Sequence, residues 1–401
     1  MKMSGLVCKE YELSCISPLH IGSGEKLSAF EYLYDRKGET VYFLDESKWI
    51  SFLDKRGLMD EFAAFLEQRS PRSRNLWEWL LRKGVQEREL RALSIRKAQA
   101  VKLTAEGEAK EKLNDVVCQT TLADGAPYIP GSAIKGALRT GILCAIIKKK
   151  PQRFQGFWQD FLRGAQEILR SGNPRGKKGA WRRLAADVSR KVEQEALHAL
   201  SLPKQQARDA VTSALRGLRI SDAVCPAAEK DTVILQKLDA TTKRKRDGRM
   251  ESEIPLFREC IPAGRKLRFS LTADFSMMET VGIASCEEIF EASRAYVWDG
   301  LRRQESVWGR KYAPLFEEAA EADCLLGGGT GFLAKTLIHA LAGQEGESAA
   351  QRTIAAYLDD AFSNHKHKSL DSKISPRTLK MAELGRDMWI LGLCRMREVE
   401  R

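Results

Sequence analysis

Residues 128–143 read YIPGSAIKGALRTGIL. Pro130-Gly131 sets a tight turn, and an apolar run of helical period follows directly. Ser132 has the side chain of an N-cap. Ala133, Ile134, Ala137, Leu138, Ile142, Ala145 and Ile146 fall on one stripe. The spacing therefore predicts a helix from Ser132 to about Lys148 that buries this stripe. Lys135 and Arg139 are four residues apart and share a face in the first two turns. Cations there oppose the helix dipole and repel one another, each effect roughly a few tenths of a kcal/mol. An anion docked on the free N–H groups of the helix start would reverse both. Two readings follow: a phosphate-binding element, or a buried helix with two surface cations.

Outward from this helix the chain alternates between strand-like and helical stretches. Residues 9–17, KEYELSCIS, have period two and predict a strand, followed by PLHIGSGEKLS as a Gly-rich loop. Residues 29–47 predict a β-hairpin turning at DRKGE. From Trp49 to about Thr104 the pattern is helical and charged, with LMDEFAAFLEQ and NLWEWLLRKGV as its clearest helices. Residues 116–129 predict a short strand or loop. Residues 148–219 read as helical and carry 17 Lys/Arg against 6 Asp/Glu, with SGNPRGKKGAW as a flexible basic loop. Strand character returns in GLRISDAV, DTVILQKLD, MESEIPLFREC and RKLRFSLTADF, the last two joined by the turn IPAG. From about Ser285 the tail reads as mostly helical, broken by LLGGGTGFLAKTL at 325–337. Strands separated by helices without a strict βαβ rhythm predict an α+β, ferredoxin-like (RRM-like) core. That core spans 1–280, with helical insertions at about 49–115 and 148–215. A mostly helical region, 281–401, follows.

The chain has 401 residues, 43% hydrophobic and 30% charged, which favours a folded core over global disorder. Its net charge of +12 suits a polyanion such as RNA or DNA, or an acidic membrane face; a solvated basic surface is the plainer reading. The nine Cys include no C-x-x-C pair and no zinc-ligand spacing, so no metal is expected, and HKH at 365–367 is too isolated to be a metal site. Cys144 and Cys324 lie in apolar runs and read as core residues. The first residues show no signal-peptide apolar region, and the longest apolar run, around GILCAII, is far short of a membrane span. These features predict a cytoplasmic location.

Four stretches offer binding chemistry. The helix start contributes Gly131, Ser132, Lys135 and Arg139. LGGGTGFLAKT contributes Gly327, Gly328, Gly329 and Lys335, a cradle for phosphate or an RNA backbone, with a tight structural connection as the alternative. HIGSG contributes His20, Gly22, Ser23 and Gly24 after the first strand, where a loop rich in N–H groups suits RNA-backbone contact. His20 has the chemistry of a general acid or base, but a structural or stacking role is favoured. Lys243, Arg244, Lys245 and Arg246 would crown a long hairpin between two strands, in reach of phosphate or simply solvated. Nucleotide hydrolysis is disfavoured, because Ala137 and Leu138 stand where a Walker A motif needs Lys and a hydroxyl, and the second Gly cluster fails the same pattern. Ser132-x-x-Lys135 lacks the companion motifs of penicillin-binding enzymes.

In their order, HIGSG, YIPGSAIKGALRTGIL, LRISDA, EIPLFRECIPAG and LGGGTGFLAKT resemble the RAMP superfamily of CRISPR proteins, over about residues 9 to 340. PGSAIKGALR is the most specific piece. The Gly-rich segment and the chain length point within that superfamily to the type III-A (Csm) effector complex. The resemblance implies an RRM-like RAMP core and a non-catalytic RNA-binding subunit that caps the 3′ portion of CRISPR RNA (crRNA), ends the backbone filament and supports crRNA maturation in antiviral defence. It implies contacts with the neighbouring RAMP backbone subunit and the small subunit of the complex, with target RNA nearby. Host nucleases would do the trimming; no membrane and no cofactor are implied. The Lys243–Arg246 run takes the place of the thumb-like hairpin of backbone subunits without matching a motif. RNP-type aromatics are absent from the strands, so binding should rest on phosphates rather than base identity. No catalytic residue is assigned. The competing reading is a metal-independent RAMP endoribonuclease acting on repeat RNA through His20.

Overall fold

The computed structural model describes residues 5–67, 75–100, 113, 115–171, 174–201, 209–226, 229–242 and 250–400. The cationic run Lys243 to Arg246 lies outside the described residues.

Strand β1 (Leu6–Cys15) alternates as its sequence requires and buries Tyr11, Leu13 and Cys15. The expected Gly-rich loop is in part a strand, β2 (Gly22–Leu27), whose register shifts between Gly22 and Lys26. β3 (Tyr32–Asp35) and β4 (Thr40–Leu44) form the predicted hairpin. Its turn is shaped by Asp35 Oδ1, which accepts from the N–H groups of Lys37 (3.1 Å) and Gly38 (2.9 Å). Four helices follow: α1 (Glu46–Lys55), α2 (Met59–Glu67), α3 (Leu76–Arg82) and α4 (Glu87–Ala92). Asp45 and Asn75 cap α1 and α3 with side-chain oxygens. These helices bury Trp49, Phe65, Trp77 and Trp79 in a separate apolar cluster.

The helical reading of the stretch up to about Thr104 fails at β5 (Ser94–Gln99). This strand reads SIRKAQ and lacks apolar alternation. Pairing with β4 and a buried ion pair of Arg96 hold it, and neither is visible in local periodicity. β6 (Val116–Gln119) and β7 (Tyr128–Ile129) lead into α5 (Gly131–Lys149). α6 (Pro151–Arg170) opens with proline at its first position, where no N–H is needed. α7 (Pro174–Leu197) starts inside the stretch expected to be a flexible loop. Then come β8 (Leu218–Ile220), β9 (Ala223–Val224), β10 (Thr232–Thr241), β11 (Glu251–Cys260) and β12 (Lys266–Asp274). After α8 (Phe275–Met278), the tail contains α9 (Cys286–Trp308), α10 (Ala313–Ala319), β13 (Cys324–Leu325), α11 (Ile338–Ala342), α12 (Glu347–Ala361) and α13 (His367–Leu370). It closes with β14 (Thr378–Leu384), β15 (Asp387–Trp389) and β16 (Leu393–Glu398), which corrects the mostly helical expectation at its end.

Two sheets organise these strands. A seven-stranded sheet runs β13–β16–β1–β12–β9–β7, with β8 also on β12. A nine-stranded sheet runs β2–β6–β11–β10–β5–β4–β3, with β14 on β10 and β15 on β14. In chain order β1, α5, β8–β9, β12, α9 and β16 read strand, helix, strand, strand, helix, strand. Their strands lie side by side as β16, β1, β12 and β8–β9, all antiparallel. The largest core lies between this sheet and α5, α6, α7 and α9. α5 buries Ile134, Leu138 and Ile142 completely, each contributing about 1.5–3 kcal/mol. The predicted stripe holds at these three positions. Elsewhere it shifts: Ile147 is buried, Ala145 is exposed, and Ala133 and Ala137 are half-buried. Cys144 and Cys324 are buried, as expected. No helix among the described residues is long and apolar enough to cross a membrane.

Candidate nucleic-acid interface

The start of α5 is already satisfied from within the chain. Ser132 is not the N-cap: Pro130 holds that position, and Ser132 is an exposed first-turn residue. The Gly131 N–H donates to Asp222 Oδ1 at 2.8 Å, so a carboxylate of the RISDA segment sits where an anion was expected. Gly131 is required because a Cβ there would stand 2.2 Å from the Ile220 carbonyl oxygen. Lys135 turns inward and donates from Nζ to the carbonyls of Leu215 (2.9 Å) and Leu218 (2.7 Å). Burial, then the charges of Arg139 and Arg219, lower its pKa. The expectation that Lys135 faces phosphate is therefore corrected: its ammonium ties α5 to the turn before β8. Arg139 remains exposed and pairs with Glu193 at 3.0 Å.

The remaining motifs converge. Ile21 and Gly22 of the first loop, the Ala133–Gly136–Ala137–Thr140 face of α5, and Gly327, Gly328, Ala334 and Lys335 line one cleft of about 470 Å³. Residues three and four apart share a helix face, so this small-residue face is a direct result of the sequence spacing. Arg139 and Lys335 stand on its edge, and no carboxylate is among its lining residues. Small residues let a polymer backbone approach closely, and two cations, Arg139 shared with Glu193 outside the cleft, favour a polyanion. Gly136 has nothing within 4 Å of where its Cβ would be. Lys335 Nζ donates to the Gly327 carbonyl at 2.8 Å, and burial lowers its pKa. Ser23 and Gly24 lie exposed in the shifted segment of β2, with Gly24 at φ 93°.

His20 is the pin between loops. Its ring is 3% exposed, and Nδ1–H donates to the Glu259 carbonyl at 2.7 Å. Burial pushes its pKa down, with Arg258 adding to the effect. The His20 carbonyl accepts from the Gly328 N–H at 2.7 Å. A Cβ at Gly327 would stand 2.1 Å from the same oxygen, and Gly327 has φ 79°. His20 thus positions the Gly-rich loop, and its burial corrects its expected RNA contact. Beneath it, the Glu259 carboxylate is 0% exposed. It accepts from Arg96 Nε (2.8 Å) and Nη2 (3.0 Å), the Gln119 N–H (3.0 Å) and the Thr232 hydroxyl (2.9 Å). Arg96 also lies 4.2 Å from the centre of the Phe43 ring.

Sequence reasoning missed Gly136 and Thr140 as cleft residues, although their spacing from Ala133 and Ala137 was the available signal. It also missed Arg258, within the quoted segment EIPLFRECIPAG. Its guanidinium lies against Gly329, 3.7 Å from the position of a Cβ, with the Asp239 charge acting on it. Burial lowers its pKa. Among the described residues no cluster of His, Cys, Asp and Glu could hold a metal ion.

Residues 12–271 match the RAMP superfamily, and the chain belongs to it. Along 96% of its length it is similar to the CRISPR system Cms protein Csm5 of Mycobacterium tuberculosis, 25% identical over 402 residues and covering 96% of that protein. It is 23% identical over 378 residues to the Csm5 protein of Enterococcus italicus, covering 88% of this chain and 86% of the relative. A chain in the cryo-EM structure of a Csm–crRNA–target RNA ternary complex of a type III-A CRISPR-Cas system has a similar fold. The TM-score is 0.62 at 17% identity, covering 98% of this chain and 100% of that one. The resemblance to the RAMP superfamily drawn from the motifs is borne out, and these relatives carry the name Csm5.

Proposed function

We propose that this chain is the fifth Csm subunit of a type III-A effector complex and caps the 3′ portion of crRNA without cutting it. One observation carries the reading: motifs more than 100 residues apart in sequence meet at one carboxylate-free cleft edged by Arg139 and Lys335. The proposed RNA contacts are Gly22, Ser23, Gly24, Gly327 to Gly329, Arg139, Lys335 and, newly, Gly136 and Arg258. Lys243 to Arg246 stay in the proposal as the hairpin tip. Contacts of this kind engage phosphates and leave base identity unread, which suits a subunit that must accept any guide. The β16–β1–β12–β9 order with α5 and α9 supports a ferredoxin-like, RRM-like core. We divide the chain into a core drawn from 1–280 and completed by α9 and β16, its insertions at about 49–115 and 148–215, and a 281–401 region that returns strands to both sheets. The neighbouring RAMP backbone subunit and the small subunit are its protein partners, target RNA lies nearby, and host nucleases trim the guide.

The test is co-purification of the tagged chain with the other subunits and a CRISPR array, followed by sequencing of the bound RNA. Recovery in a large complex, with guide 3′ ends that lengthen or become ragged when the chain is omitted, is the expected result. A free protein that cuts repeat RNA by itself would overturn the reading.

A further inference from the structure

A second cavity, of about 450 Å³, opens beside the cleft and shares Arg139, Thr140 and Lys335 with it. Its volume falls within the roughly 300–1,000 Å³ of small-molecule sites. α7 and α12 form two of its walls, and the chain after the Gly-rich loop forms a third. The wall is aromatic. Trp181 is buried and fixed by its Nε1–H, which donates to Asp360 Oδ2 at 2.8 Å. Tyr357 meets Trp181 edge-on, with ring centres 5.9 Å apart, and Phe332 lies 6.5 Å from Tyr357. Phe332 and Tyr357 are only half-buried, so ring surface remains available to an occupant. The mouth carries Arg139, Lys335 and Arg182, and Arg182 has no acidic partner among the described residues. Glu193 is the single carboxylate lining the cavity, and Arg139 pairs with it.

Aromatic walls behind a cationic mouth fit a nucleotide: π-faces for the base, cations for its phosphate. The cavity shares Arg139, Thr140 and Lys335 with the cleft, so a strand lying in the cleft would pass beside it. We propose that the cavity receives one unstacked nucleotide of the RNA strand that crosses the cleft, its base on Phe332 and Tyr357 and its phosphate at Arg139, Lys335 and Arg182. This assignment rests on the RNA-binding reading above. It makes the basic helical insertion part of the RNA site and gives the strand a fixed register on the subunit, independent of sequence because every base has a π-face.

The experiment uses the assembled complex with guide RNA carrying 4-thiouridine at successive 3′-proximal positions, irradiated and mapped by mass spectrometry. One position should crosslink to Tyr357 or Phe332. Tyr357→Ala should weaken retention of the 3′ segment about 5- to 150-fold, and Tyr357→Trp, which keeps a stacking face, should restore it. Crosslinks confined to the Gly-rich loop and α5 would overturn the cavity assignment and leave the RNA-binding reading standing. Absence of RNA crosslinks to this chain would overturn both. Crosslinking of free 4-thiouridine monophosphate to Tyr357, with none from the strand, would identify a free nucleotide as occupant and overturn the assignment to RNA.

Discussion

Placing a side chain at Gly136 should separate RNA binding from stability. Gly136 is interior to α5, and a Cβ there has nothing within 4 Å. Replacing a helix-interior Gly with Ala should stabilise the fold by up to about 1 kcal/mol, and Phe should still gain roughly a few tenths. Gly136 lines the cleft between α5 and the Gly-rich loop, so the added ring would enter it. It would keep a strand from Arg139 and Lys335. For single strands each neutralised phosphate contributes roughly 0.7 to the slope of log K against log salt. Losing two contacts should make the slope shallower by about 1.4. The assay is guide retention by complexes reconstituted with wild type, Gly136→Ala and Gly136→Phe between 50 and 200 mM salt (about the range over which such slopes are read), with urea denaturation of each chain alongside. Folded Gly136→Phe that holds guide RNA with the wild-type slope would refute the cleft as the path of the backbone.

Lys135→Met should behave in the opposite way. It strands the Leu215 and Leu218 carbonyls, so the urea midpoint should fall by the equivalent of about 1–3 kcal/mol while the salt slope stays unchanged. Lys335→Glu should weaken guide retention and flatten the slope. Glu259→Gln leaves the Arg96 guanidinium, 10% exposed, without its charged partner and should destabilise by about 3–5 kcal/mol. Arg96→Met should cost a similar amount, and the double variant should cost clearly less than the sum in a denaturation cycle; additivity would remove the pair from the account. For His20 the folded pKa lies below the ordinary value of 6.5. Its contribution to stability is therefore present above the unfolded pKa and is lost as pH falls below about 6.5, where the unfolded chain takes up the proton first. Wild type should lose more stability than His20→Gln between pH 7.5 and 5.5, by up to about 1.4 kcal/mol per pH unit; equal losses would place the titration elsewhere.

What could be read from the sequence followed from local chemistry. The alternation of KEYELSCIS, the DRKGE turn and the apolar spacing of α5 each act within a few residues, and the structure has β1, the β3–β4 hairpin and α5 there. What could not be read depends on distant partners. β5 carries Arg96 because Glu259 waits 163 residues away. Of the closing strands, β14 pairs with β10 and β16 with β1 and β13, all at long range, while β15 folds back on β14. The site shows the same division. The Gly-rich motifs marked where backbones come close, but not which backbone they approach. Gly131 meets Ile220, and Gly327 meets His20. Lys135 was legible as a misplaced cation; only the fold supplies the two carbonyls that explain it.

In the proposed interface, the two halves divide the task by residue type. The cleft is lined mainly by glycine, alanine and aliphatic side chains with Tyr296 as its one aromatic, and its Thr140 and Ser293 hydroxyls already donate to backbone carbonyls, so it can hold a phosphodiester backbone closely and has little with which to read bases. The aromatic surface is concentrated next door, behind Arg139 and Lys335. Both depend on the two ends of the chain. The Gly-rich loop is held by His20 on one side, and on the other the Leu326 N–H donates to the Gly392 carbonyl at 2.9 Å. The Gly392 N–H in turn donates to the Pro18 carbonyl at 2.9 Å. Residues 18–20, 326–328 and 392 therefore form one hydrogen-bonded knot, and the cleft is complete only when β16 has joined β1. A chain ending before Gly392 should retain the α1–α4 cluster, whose contacts are local, yet lose the loop that closes the cleft. Such a truncation should abolish guide retention while leaving much of the helical signal in circular dichroism. Guide binding with wild-type salt dependence by the truncated chain would show that the knot is dispensable, and with it the role assigned to His20.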